Sequence, residues 1–252
     1  MAAVPPIQET DLEFDHGTFD SAGFAAAALA DWKSLAACID HTLLKPEATR
    51  SQVEQLCRET AQYRFACAMV NPVWAALAVS ELAGTGVPVG VVIGFPLGAS
   101  LVSTLRQEAA ALPRMGVREL DMVIPVGLLK SGSHHAVERT VHSAAAVAHH
   151  HGALLKVILE TALLTVEEKL RASEIAIKAG ADFLKTSTGF AASGATAADV
   201  ALLRGVAGAR CGVKAAGGIR TLADTRAMLE AGANRIGASA SVAIVRELGT
   251  GD

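Results

Sequence analysis

The chain has 252 residues, 51% hydrophobic and 19% charged, which supports a sizeable core and excludes a disordered chain. Its 22 basic and 25 acidic residues leave a net charge of -3, so nothing draws it electrostatically to nucleic acid or an anionic membrane. Four cysteines without a CxxC pair are expected to be reduced thiols of a cytoplasmic protein, and the acidic N-terminus has neither the basic nor the apolar region of a signal peptide.

Residues 1–37 read as an N-terminal extension, acidic and irregular over 11–20 and helical over the Ala-rich stretch 21–37. From there, eight short apolar runs rich in Val and Ile alternate with amphipathic stretches. The run 37–39 precedes a helix over 48–63. The run 65–70 precedes a helix over 72–83, where Asn71-Pro72 reads as a helix start because proline suits the first turn. The run 88–94 precedes a helix over 100–115 opened by a serine cap. The apolar stretch 87–102 around it is too short and too broken by Gly and Pro to span a bilayer. Then 119–124 precedes 128–151, 154–159 precedes 165–179, and 182–186 precedes 197–206. The last runs, 212–215 and 234–237, precede helices over 221–231 and 239–248. Gly180, Gly208 and Gly232 stand where helices stop.

Near-continuous apolar strands alternating with helices imply a parallel sheet covered on both faces. Eight such units predict a (β/α)8 TIM barrel over 38–249. An open doubly wound sheet is the rival, and the lack of a GxGxxG turn after the first run argues against it.

Three successive strands carry a central lysine: Lys156, Lys185 and Lys214, spaced 29 residues apart. Lysine is almost never buried without a partner. One reading is an ion-paired core with Asp121, Glu160 and Asp182. The other is catalytic, because Lys185 and Lys214 precede the polar or Gly-rich ends 186–189 and 216–218, on the face where barrels place their sites. A nucleophilic lysine must be neutral, and at pH 7 an unperturbed amine is only about 0.04% neutral. A second cation at about 4 Å contributes roughly 4 kcal/mol of repulsion and lowers that pKa by about three units. Adjacent amines thus suit imine chemistry. Asp121, a carboxylate inside an apolar strand, could pair with a lysine and relay protons through a water. The small residues Gly217-Gly218 and Gly237-Ala238-Ser239 end the last two strands, where barrels commonly bind phosphate.

In order along the chain stand IDHTLLKP (39–46), VNP (70–72), VIGFPLG (92–98), ELDMV (119–123), LKVILET (155–161), DFLKTSTG (182–189) and VKAAGGIRT (213–221). Over 39–239 the sequence resembles the deoxyribose-phosphate aldolases. The resemblance implies a metal- and cofactor-independent Schiff-base aldolase that reversibly cleaves 2-deoxy-D-ribose 5-phosphate to acetaldehyde and D-glyceraldehyde 3-phosphate. It implies Lys185 as the imine-forming residue, Lys214 as its perturber and Asp121 as the acid/base, with Lys156 not the nucleophile. It places Asp40, Thr42 and Thr188 near the substrate, and Gly189, Gly217, Gly218 and Ser239 on the phosphate side. It also implies a homo-oligomer, expected to be a dimer.

Some positions depart from common family patterns. Met69 stands where some members have a cysteine, and a thioether cannot add to an unsaturated aldehyde as a thiolate does. Tolerance of aldehydes is therefore expected. Phe190 replaces a phosphate-side lysine of some members, leaving phosphate more dependent on backbone amides. Pro125 replaces a frequent asparagine and Ala240 a frequent serine. His134-His135 and His149-His150-His151 read as a solvated helix face, since adjacent helical residues diverge. His135, His142 and His149 share a heptad face without a carboxylate or cysteine set for a metal.

Overall fold

Eight parallel strands hydrogen-bond in the order β1 to β8 and close on β1, with at least one helix after every strand. The computed structural model describes residues 17–249, so 1–16 of the extension lie outside the described residues. Helices α1 (Ser21–Ala28) and α2 (Trp32–Ala36) lead into β1 (Ile39–Leu43) and α3 (Arg50–Tyr63). The chain continues through β2 (Cys67–Val70), α4 (Ala75–Glu81), β3 (Val89–Ile93), α5 (Val102–Arg114) and β4 (Glu119–Val123). Then come α6 (Val126–Lys130), α7 (His134–His150), β5 (Leu154–Ile158), α8 (Val166–Lys178) and β6 (Phe183–Lys185). Finally α9 (Ala197–Ala207), β7 (Gly212–Ala216), α10 (Leu222–Glu230), β8 (Arg235–Ala238) and α11 (Ser241–Glu247) complete the barrel.

The order follows the hydropathy pattern, with instructive differences. The first strand begins two residues later than predicted and runs through Asp40 and Thr42. An apolar-run criterion passes over such a segment because a buried carboxylate is costly unless paired. The Ala-rich stretch divides in two, since Asp31 caps α2 by accepting from the Lys33 and Ser34 amides. The helix expected over 128–151 breaks at Gly132, whose φ of 71° continues no helix. Ser100 is not the cap of α5: Leu101 holds that position and gives no side-chain bond.

Alternation sorts the strands into two faces. Val70, Val91, Leu120, Leu155, Leu184 and Val213 pack against the helices in the large core. The inward residues make only a small apolar cluster of Leu44, Cys67, Met69 and Val92, with Phe95 against it. Most of the remaining interior is charged. Outside the barrel, α1 packs on α10 and α2 on α11. Arg204 ties this segment down, stacking on Phe19 at 4.0 Å while donating to the carbonyls of Gly208, Cys211 and Gly232.

Candidate active site

Strand register brings together the lysines that sequence spacing only suggested. Lys185 and Lys214 are Cα partners across β6 and β7, and Asp121 and Lys156 across β4 and β5. Asp121 sits between them. Its Oδ1 accepts from Lys156 Nζ at 2.8 Å, and its Oδ2 accepts from both Lys185 Nζ at 2.8 Å and Lys214 Nζ at 2.7 Å. The two amines therefore meet across one oxygen. Lys214 extends further to Asp40 Oδ2 at 2.5 Å, past Gly237, where a Cβ would stand 3.0 Å from Lys214 Cε. A side chain at 237 would crowd that passage.

The surroundings assign different charges to these groups. Burial, together with the neighbouring Lys214, pulls the Lys185 amine down to about 8, against the opposing pull of Asp121. Burial also penalises the Lys156 ammonium, but Asp121, Asp40 and Glu119 outweigh it and hold that amine well above the ordinary range. Burial works against the Asp121 carboxylate too, yet the three lysines keep it well below the usual carboxylate range. Desolvation is thus the leading cause at Lys185, with the adjacent cation adding to it.

Lys185 opens onto a cavity of about 380 Å³ at the C-terminal ends of the strands. Thr42, Thr188, Gly189, Gly217, Gly218 and Ser239 line it. Gly217 and Gly218 turn the chain after β7 with φ of 88° and 81°, values that favour glycine. Thr188 is held from behind by Glu160, whose carboxylate accepts from the Thr188 amide and hydroxyl. Phe190, 51% exposed, stands edge-on to Phe95 with centroids 5.3 Å apart.

Asp40 is not among the cavity-lining residues. It is fully buried beneath Lys214, and its Oδ1 accepts from Arg235 at 2.6 Å. Glu160 and Asp182 do not pair with the lysines: Asp182 instead binds His149 and the Leu155 amide. Sequence reasoning missed Glu119, which pairs with Lys156 Nζ at 2.5 Å, and Arg235, 3.3 Å from Glu119. It also missed Lys45 and Arg220 on the cavity wall. A glutamate opening the run 119–124 and an arginine inside the run 234–237 were the available signal. Asp40, Cys67 and Glu119 come close enough to share a cation, but Lys156, Lys214 and Arg235 already balance the two carboxylates. His135, His142 and His149 are exposed along α7.

A buried, weakly basic lysine at the C-terminal face of a (β/α)8 barrel is the constellation of enzymes that form imines with carbonyl substrates. The comparisons agree with that class. The sequence matches the DeoC/LacD family aldolases over residues 10–247. It is 53% identical over 212 residues to the deoxyribose-phosphate aldolase of Bacillus mycoides (strain KBAB4), covering 84% of this chain and 95% of that one. It is 50% identical over 215 residues to the deoxyribose-phosphate aldolase of Thermoanaerobacter sp. (strain X514), covering 85% and 96%. The tetrameric deoxyribose phosphate aldolase from Aeropyrum pernix superposes with a TM-score of 0.85 at 35% identity, over 92% of this chain and 97% of that one. The chain belongs to the DeoC/LacD aldolase family.

Proposed function

We propose that the protein is a Schiff-base aldolase that reversibly cleaves 2-deoxy-D-ribose 5-phosphate to acetaldehyde and D-glyceraldehyde 3-phosphate. The observation that carries this reading is Lys185 itself, an amine pulled down to about 8 at the floor of a glycine-lined cavity. The neutral amine attacks the C1 aldehyde of the open-chain sugar, and the carbinolamine loses water to give an iminium ion. The iminium withdraws the electrons of the C2–C3 bond as the C3 hydroxyl gives up its proton. Glyceraldehyde 3-phosphate leaves, and the remaining enamine is protonated at C2 and hydrolysed to acetaldehyde.

Asp121, held as a carboxylate by three lysines, is suited to accept and pass on protons through a water rather than to store one. Lys214 adds its charge to the effect of burial and so raises the neutral fraction of the Lys185 amine. Thr42 and Thr188 face the sugar. Backbone amides at Gly189, Gly217 and Gly218, with Ser239, receive the phosphate, and Lys45 and Arg220 supply positive charge there. Asp40 supports the site through Lys214 without touching substrate.

Residues 1–37 act in this reading as an extension and 38–249 as the catalytic domain, supported by the packing of α1 and α2 outside the barrel. A cytoplasmic homo-oligomer, a dimer, is part of the same reading; the free cysteines are in keeping with a reducing compartment, and the relative from Aeropyrum pernix is a tetramer. Light scattering distinguishes a dimer from a tetramer. Borohydride trapping with acetaldehyde, followed by peptide mass mapping, tests the mechanism. The expected adduct is on Lys185, and an adduct on Lys156, or none, overturns it.

A further inference from the structure

We propose that Glu119 and Arg235, at the N-terminal ends of β4 and β8, are positioning residues that set the protonation of the reactive amine by fixing the charge count of the barrel interior. This inference rests on Lys185 being the imine-forming residue. Seven charged side chains pair with one another in the enclosed interior; an eighth, the buried Glu160 beyond β5, is turned to Thr188 and ion-pairs with none of the lysines. Three of the seven are carboxylates: Asp40 on β1, and Glu119 and Asp121 on β4. Four are cations: Lys156 on β5, Lys185 on β6, Lys214 on β7 and Arg235 on β8. Cys67 on β2 stays a neutral thiol, since burial pushes it well above 9. Strand β3 contributes only Gly90 and Val92 to this space.

Fully ionised, the cluster carries one surplus positive charge, and an uncompensated buried charge is expensive. Losing one proton removes it. Arg235 cannot release a proton near neutral pH. Lys156 reaches three carboxylates and Lys214 reaches two, whereas Lys185 reaches only Asp121, through an oxygen shared with Lys214. Lys185 is also the one of the three lysines that lines the cavity, so its proton has an exit. The exposed Lys45 and Arg220 lie on that cavity wall, where solvent screens them.

Arg235 creates the surplus without approaching substrate. It takes Asp40 Oδ1 and faces Glu119 at 3.3 Å, drawing on negative charge that would otherwise stabilise the ammonium ions above. Glu119 works in the opposite sense. A purely structural pair would lose activity in both variants without moving the pH dependence in opposite directions.

The test measures the pH dependence of reductive labelling of Lys185 by acetaldehyde and cyanoborohydride, located by peptide mass, alongside the acid limb of kcat/KM for sugar cleavage. Arg235→Gln leaves three cations against three carboxylates, so Lys185 keeps its proton longer and both midpoints rise by about one pH unit. Glu119→Gln doubles the surplus, and both midpoints fall by about one pH unit. Arg235→Lys restores the charge and the original midpoint. If Arg235→Gln does not fold, the downward movement in Glu119→Gln still decides the matter. Label on Lys185 with midpoints that stay still, or move together in both variants, overturns the charge-count inference alone. Label on another lysine in the unaltered enzyme overturns the assignment of Lys185, and this inference with it.

Discussion

Lys156 and Lys185 occupy adjacent strands, are buried and donate to the same carboxylate, yet their basicities are driven in opposite directions. Burial penalises both ammonium ions. The difference is company. Lys156 is surrounded by Asp40, Glu119 and Asp121, and their summed attraction exceeds the desolvation cost. Lys185 has Asp121 alone and shares that oxygen with a second cation. Burial therefore does not by itself make a lysine reactive. It makes the amine sensitive to its neighbours, and the neighbours decide.

Breaking each side of this contrast has distinct consequences. Lys185→Ala removes the nucleophile and should abolish turnover and trapping, while circular dichroism shows an intact barrel. Lys214→Ala removes the cation beside Lys185. If the amine rises by about two units, the neutral fraction at pH 7 drops about 100-fold, and kcat/KM with it. Its acid limb should move upward by the same amount. In the unaltered enzyme the neutral amine is the reactive form, so kcat/KM should climb with pH and level off above about 8. A flat profile from pH 6 to 9 would contradict the assigned amine. Lys156→Met removes the amine shared by three carboxylates, leaving Asp121 to Lys185 and Lys214, Asp40 to Lys214 and Arg235, and Glu119 to Arg235 alone. It should cost about 3 kcal/mol of stability, read by denaturant unfolding.

The smallest effect concerns aldehyde tolerance, where incubation with crotonaldehyde should leave activity essentially unchanged. Met69 cannot form a thiolate, and burial pushes all four thiols upward, Cys57 to about 11 and Cys211 to about 12. Rapid inactivation would count against this.

Much of the barrel was legible because its strand faces toward the helices are apolar at nearly every position, and a continuous Val/Ile/Leu run needs no context to be read. The first strand was harder. Its inward face carries Asp40 and Thr42, and nothing local signals that Lys214 and Arg235 await them from the far end of the chain. Asp121 was legible as an anomaly within an apolar run. Glu119 and Arg235 were not, since a charged residue opening a strand is usually exposed. Thr188 and Glu160 show the same limit in smaller form. Their contact depends on the backbone of Glu160 entering the left-handed region at φ 57°, which a glutamate rarely adopts.

Sequence alone determined that three successive strands would each carry a lysine, because a repeating βα unit converts a 29-residue spacing into neighbouring strands. It also determined that the glycine-rich ends would gather on the face of Lys185. The register was decided by the barrel, which pairs Lys185 with Lys214 but Lys156 with Phe183. Which lysine loses its proton was decided only by the closed barrel. Closure brings carboxylates from β1 and β4 against cations from β5 to β8, and a buried amine answers to the sum of charges around it rather than to its place in the chain.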